Sequence, residues 1–345
     1  MLRHWLTLSK HGRRLLAVGG WLLLVMVTAI AATVWDMRQS AIQDAEGSIA
    51  QLGIAISEQT ARSVQAADAV IQGMQGRFLA GGVATPEGFK AFFAAQPMQQ
   101  DWAAHGSTLP QVVAFSAVDA SGEVANSTRG PWPALATDVS DRNYFTYFRD
   151  HDDRGLQVTR PSAARWDGAP TVFLVRRASG PDGEFLGVLL AALDLGYFQR
   201  FYELLGAGDT SVTLLRADGA LLTRYPLLAG SPATMPAASP WYAAAAQGSG
   251  KYESKGAFGH STRLISVHRL ADYPIVVSVG VSKSQVLASW RREALLIGLG
   301  TACAIVCVGL LLQAMGVQLR RLERSEASLA ARNGALQQTQ AGMRR

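Results

Sequence analysis

Between Val139 and Asp150 the sequence reads VSDRNYFTYFRD, placing four aromatic rings, two arginines and two aspartates within twelve residues. Those residue types suit recognition of a small charged molecule. A guanidinium fork pairs with a carboxylate, an aromatic face beside a carboxylate attracts an ammonium group, and small-molecule sites set a few polar groups in an apolar wall. Further candidate charges are Arg176 and Arg177 in PTVFLVRR and Asp194 at the end of EFLGVLLAALD. Each has a plainer reading. Strand alternation turns one of Arg176 and Arg177 inward and the other outward. Asp194 also suits a helix N-cap, Asp141 and Arg142 suit a loop cap and a surface pair, and Phe145 and Phe148 suit a core.

Reactive chemistry is not indicated. The six histidines, at 4, 11, 105, 151, 260 and 268, lack metal-ligand spacing. His151-Asp152-Asp153 reads as a solvated loop. Gly248-Ser-Gly-Lys251 lacks the first glycine of a phosphate loop and carries Tyr252 where Ser or Thr would hold magnesium. No Gly-x-Ser-x-Gly elbow occurs. The expectation is therefore no catalytic residue, no metal and no cofactor.

The elements that hold these charges lie between two apolar runs. Leu15 to Val34 and Ala294 to Val317 carry no charge, and each is long enough for a bilayer-spanning helix, which needs ~20 residues. Ala29-Ile30-Ala31 would serve as a signal-peptide cleavage site, but the apolar core is longer than the usual ~7–15 residues of such a signal. Residues 1–14 hold four basic residues and no acid, residues 318–345 six arginines against two glutamates, and the region between the spans 22 basic against 24 acidic. The positive-inside rule then puts both termini in the cytoplasm and residues 35–293 outside. The net charge of +6 reflects that topology, and no nucleic-acid partner is expected. Cys303 and Cys307 both fall in the second span, so the outer region must rely on an ordinary core rather than disulfides.

Residues 35–80, with no proline, predict one long helix. Ile42, Ile49, Ile56, Ser63 and Val70 recur every seven positions, a seam whose membrane-proximal half suits a partner helix and whose upper half suits packing on its own domain. From Gln111 the period becomes that of strands. QVVAFSAVDASGEVANST predicts a hairpin, followed by LQVTRPSA, PTVFLVRR and EFLGVLLAALDL as strands and DLGYFQRFYELLG as a helix. A reduced copy follows: SVTLLRA, LLTRY, a short helix, GKYES, TRLISVHRL and PIVVSVGV. The fold class is α+β: a long helix and two tandem antiparallel-sheet modules, at 81–207 and 208–282, flanked by transmembrane helices.

In this order, Asp141-Arg-Asn-Tyr-Phe145, Arg160-Pro161, Arg176-Arg177, Gly183-Glu-Phe-Leu-Gly187, Asp194 and then LLRADGALLTRYP resemble the double Cache sensor domain of bacterial receptors, whose modules are PAS-like. The version most similar stands at the front of membrane-bound diguanylate cyclases and histidine kinases. The resemblance implies an extracytoplasmic receptor binding a small ligand in the distal module. In amino-acid-binding relatives a pocket arginine and aromatics meet the ligand carboxylate and backbone and an aspartate its amine; Arg142, Tyr144 and Asp194 fall there. Thr137 stands where that pattern has an aromatic, and Tyr144-Phe145 where it has Trp-Tyr, so an amino acid is one candidate among small carboxylates and amines.

After the second span, Leu322, Leu329 and Leu336, with Leu319, form a short coiled-coil seam. It resembles the linker that leads to a cyclase or kinase. A homodimer signalling to a separate cytoplasmic output protein is expected; the alternative is the sensor part of a longer cyclase or kinase.

Overall fold

The computed structural model describes residues 10–342 except 132, 133, 135, 207, 208, 229 and 256–260; the side chains of 10–16, 97 and most residues after Gln318 also lie outside the description. Two helices dominate. Helix α1, Lys10–Ala80, is continuous for 71 residues, and α7, Lys283–Gly342, for 60; both are long and apolar enough to cross a membrane. The chain divides into two compact units. One is Gln43–Val286; the other joins the helical segments before and after it. In that helical pair the Trp290 Nε1 donates to the Val34 carbonyl at 2.9 Å, and Gly19 lies against Leu312, 3.2 Å from where a Cβ would stand. The seam expected at Leu319, Leu322, Leu329 and Leu336 concerns side chains outside the description, apart from the helical backbone that carries them.

Within Gln43–Val286 the buried positions of α1 are Ile49, Gly53, Ile56, Thr60, Ser63, Val64, Ala67, Asp68, Ile71, Met74 and Phe78. Their spacing of three and four residues marks a helix packed on its own domain. This corrects the expected partner seam: Ile49 and Ile56 are 5% and 0% exposed within the single chain. The helix stops at Gly81-Gly82, where Gly82 has φ 74° and the Gly81 amide returns to the Arg77 carbonyl at 2.9 Å, a glycine-dependent C-terminus.

Two short helices follow that strand-type patterning did not announce, α2 Pro86–Ala94 and α3 Gln96–Gly106. Thr85 caps α2 by accepting from the Gly88 amide, with Pro86 in the first turn. Phe78, Phe89, Phe93, Trp102 and Phe115 form one aromatic cluster, with Phe89 and Phe93 ring centroids 4.7 Å apart and Trp102 and Phe115 5.9 Å apart. It covers one face of the distal sheet. That sheet contains β1 Val112–Asp119, β2 Val124–Ser127, β3 Gln157–Val158, β4 Ser162–Ala163, β5 Pro170–Ser179 and β6 Phe185–Leu193, antiparallel in the order β2-β1-β6-β5-β3, with β4 on β5. Helix α4, Asn143–Asp150, packs on the other face.

Helix α5, Leu195–Leu205, leads to the second sheet: β7 Ser211–Arg216, β8 Leu221–Tyr225, β9 Ser249–Ser254, β10 Arg263–Arg269 and β11 Ile275–Ser282. Its order, β8-β7-β11-β10-β9, repeats the first: a hairpin whose inner strand pairs with the last strand. Helix α6, Trp241–Ala246, covers one face, and α1 approaches the other. There a Cβ on Gly53 would stand 2.4 Å from the His268 ring, so only glycine admits that histidine against the helix.

Candidate functional site

The cluster that opened the sequence reading is a turn followed by α4. The Asp138 carboxylate accepts from the Ser140 amide at 2.8 Å, and Arg142 occupies the N-cap with extended φ/ψ of −77° and 137°. Tyr144, Phe145 and Phe148 then face the sheet, while Asp141, Asn143, Arg149 and Asp150 face solvent. Among the described residues, the wall between α4 and the sheet encloses a cavity of about 350 Å³. Val118, Val124, Val139, Phe173 and Leu190 give it apolar sides; Ser116, Ser127 and Thr137 add hydroxyls. Arg129, Arg142 and Arg165 also line it.

Each arginine is held from outside. The Arg142 Nη2 donates to the Ala163 carbonyl at 2.7 Å. Arg165 donates to both Asp141 carboxylate oxygens at 2.6 Å, and that partner holds the Asp141 carboxyl below its ordinary pKa. Arg129 bonds Asp167 at 3.2 Å and lies 5.6 Å from the Trp166 ring centroid, with Trp166 edge-on to Phe173 at 5.9 Å. The turn that presents Trp166 and Asp167 needs Gly168, at φ 73°. Both aspartates are well exposed, 65% for the Asp141 side chain and 38% for Asp167. Such surface pairs contribute only ~0–1 kcal/mol, so an incoming carboxylate can replace either at small cost. Tyr144 is buried, its ring 5.9 Å from Phe173, and burial pushes its hydroxyl up to about 12. It stays protonated and can donate.

The sequence-derived candidates separate. Arg142 and Tyr144 line the cavity, as does Thr137. Asp141 stands at its edge, bound to Arg165 and lining a neighbouring polar cleft. Arg176 and Asp194 lie elsewhere. Arg176 faces α1 and makes a bidentate pair with the buried Asp68, at 2.5 and 2.9 Å, while its Nη1 donates to the Arg154 carbonyl at 2.7 Å. Arg177, on the opposite face of β5, pairs with Asp152 at 3.3 Å and stacks on Phe185, away from the cavity. Asp194 is the residue before α5 and pairs with Arg200 at 3.1 Å. Arg129, Arg165, Trp166 and Phe173 were not singled out from the sequence; the only signal was the Trp166-Asp167-Gly168 turn that carries one of them. No group of three His, Cys, Asp or Glu side chains able to hold a metal occurs among the described residues.

The distal and proximal modules are tied beside this site. Arg160 bonds Asp218 at 2.8 Å, Arg216 also pairs with Asp218, and the Arg216 Nη1 donates to the Val158 carbonyl at 3.1 Å. These partners hold the Asp218 carboxyl far below the usual range.

No protein-family model matches the sequence, and no curated protein does either. Solved structures do match. The extracellular domain of rpHK1S-Z16 matches with a TM-score of 0.62 at 27% identity, over 72% of this chain and 99% of that domain. The periplasmic sensory domain of the Campylobacter jejuni chemoreceptor Tlp1 matches with a TM-score of 0.55 at 12% identity, over 72% and 98%. The ligand-binding domain of the Pseudomonas aeruginosa PAO1 amino acid chemoreceptor PctB, in complex with L-Arg, gives 0.51 at 17%, over 71% and 98%. Two similar sheets in tandem behind one long helix, with these neighbours, define the class as the double Cache fold of extracytoplasmic sensor domains. The chain shares that fold with these sensor domains.

Proposed function

We propose that the chain is a multi-pass inner-membrane receptor that binds a small carboxylate in the distal cavity on the periplasmic side and signals to a cytoplasmic output as a homodimer. The observation that carries the ligand class is the charge of the cavity: Arg129, Arg142 and Arg165 line it, and no carboxylate is among its described lining residues. A guanidinium trio in a largely apolar wall suits an anion with a short carbon body. The amine alternative needs an acid to receive the ammonium group. Asp194, expected in that role, is paired with Arg200, and Asp141 and Asp167 are engaged by the arginines themselves.

The route inward starts at β5. Phe173 reaches the cavity from one face, and Arg176, three residues on, grips Asp68 of α1 from the other. A ligand that shifts β5 therefore shifts a helix leading towards the first span, and it acts only by its unequal affinity for the two positions.

Thermal-shift screening of the full chain in nanodiscs against small carboxylates and their matching amines tests the ligand class. A carboxylate hit lost in Arg142→Ala is expected; an amine hit insensitive to that change would refute the reading. Alkaline phosphatase joined after Gly208 should be active and after Arg345 inactive, and the reverse would overturn the topology.

A further inference from the structure

Most exposed apolar side chains of the long helices lie in the two spans, where lipid covers them. In Gln43–Val286 two leucine pairs stand out. Leu204 and Leu227 are 86% and 75% exposed, and their neighbours Leu205 and Leu228 are 37% and 38% exposed. Single exposed leucines are ordinary, but these four gather at one place. A Cβ on Gly206 would lie 3.2 Å from the Tyr225 ring, which joins the end of α5 to the end of β8. Tyr225 pairs with Val212 of β7, and β7 pairs through Ser211 with Gly280 of β11. All four leucines therefore sit at the end of the proximal sheet where β11 passes into α7.

Chain length fixes what lies beyond that end. Eleven residues run from Lys283 to Ala294, where the apolar run begins, and at 1.5 Å per residue they span about 17 Å. The polar headgroup layer takes up about 5–8 Å of that. The remaining ~10 Å is the reach of three extended residues, and Leu227 and Leu228 stand two and three residues past the end of β8. Basic residues share the same end. Exposed Lys255 follows β9, and Lys283, half-buried and paired with Glu253 at 2.6 Å, opens α7. Leucines beside lysines are the composition of a surface that lies in a lipid interface.

We infer that this end of the proximal module rests on the lipid headgroup layer through Leu204, Leu205, Leu227 and Leu228. The inference relies on the proposal that α7 crosses the membrane. Contact there would resist tilting of the proximal sheet and would make the receptor's resting state depend on the bilayer.

The test uses the full chain with Cys303 and Cys307 replaced by Ala, in nanodiscs, carrying one cysteine at a time labelled with an environment-sensitive fluorophore. Leu204→Cys and Leu227→Cys are the probes, and Ser121→Cys, in the β1–β2 turn, is the reference. Blue-shifted emission quenched about twofold by brominated lipids is expected at 204 and 227 and not at 121. Water-like, unquenched emission at 204 and 227 would overturn the inference. So would label-to-label quenching between copies without lipid quenching, which would give the face to a second chain. In intact cells a membrane-impermeant thiol reagent must reach Ser121→Cys from outside. If it does not, the topology fails; if it does and lipid quenching is absent, only the lipid contact fails.

Discussion

The two modules share a strand order and differ in what fills the space above the sheet. In the proximal module α6 reads WYAAAA, and its alanines let the helix press down on the sheet: a Cβ on Gly250 would come within 2.7 Å of the Ala244 Cβ. Trp241 closes the interior, 0% exposed, with its Nε1 donating to the Ser278 hydroxyl at 3.0 Å. In the distal module α4 is anchored by Phe145 and Phe148, while its N-terminus holds Arg142 and Tyr144 beside a cavity of about 350 Å³. One sheet plan thus gives a plugged module and a hollow one. The difference lies in a few side chains on the covering helix and loops.

The comparison can be broken first where the proximal module is plugged. Trp241→Ala should cost about 3–5 kcal/mol, the usual range for emptying a buried aromatic site, measured as a loss of thermal stability with the distal hit still bound. A loss under ~1 kcal/mol would mean that Trp241 does not hold the module closed. Next comes the lash between the hollow module and α1. Asp68→Ala strands Arg176, whose side chain is 15% exposed, and should cost about 3 kcal/mol. The double change Asp68→Leu with Arg176→Met should recover most of it; failure to recover would assign the cost to something other than the stranded charge.

Filling the hollow module is the converse. Val124 lines the cavity and is only partly buried, so Val124→Phe should fit at under ~1.5 kcal/mol in stability. The same change should lower carboxylate affinity about tenfold or more, a calorimetric result expected of a site that needs its volume. Unchanged affinity would place the ligand elsewhere.

The smallest effect is a pH dependence confined to the proximal module. Burial, then Lys251, lowers the His268 pKa from its ordinary 6.5. A histidine whose folded pKa is depressed binds fewer protons folded than unfolded, so its contribution is present above 6.5 and is lost as pH falls towards the folded value. Thermal stability of His268→Asn should therefore fall less than that of the parent between pH 7 and 5, and parallel curves would remove His268 from the account.

Much of this architecture was legible because alternation and turn chemistry are local. PTVFLVRR and EFLGVLLAALDL became β5 and β6, and Asp119-Ala-Ser-Gly122 became a hairpin turn in which Asp119 Oδ1 accepts the Ser121 amide at 2.9 Å. Arg142 and Tyr144 were legible because α4 positions them within three residues. Arg129 and Arg165 were not, since hairpin register and the Gly168 turn bring them to Arg142 from 13 and 23 residues away. Arg176 looked like a ligand contact for the same reason: its partner Asp68 is 108 residues distant. The heptad of isoleucines misled because seven-residue spacing also lies within a three-and-four pattern, and the chain's own module covers it at Ile49 and Ile56.

The central claim is that the hollow module takes an anion by its carboxylate at Arg142. The direct measurement is a calorimetric titration of the full chain in nanodiscs with the screened carboxylate and with its uncharged amide, repeated on Arg142→Ala and on Asp194→Ala. The account predicts binding of the acid and not the amide. It also predicts a loss of about 30-fold or more in Arg142→Ala, as for a charge-assisted contact of ~2 kcal/mol, and little change in Asp194→Ala. Equal binding of acid and amide, or full affinity in Arg142→Ala, would contradict it.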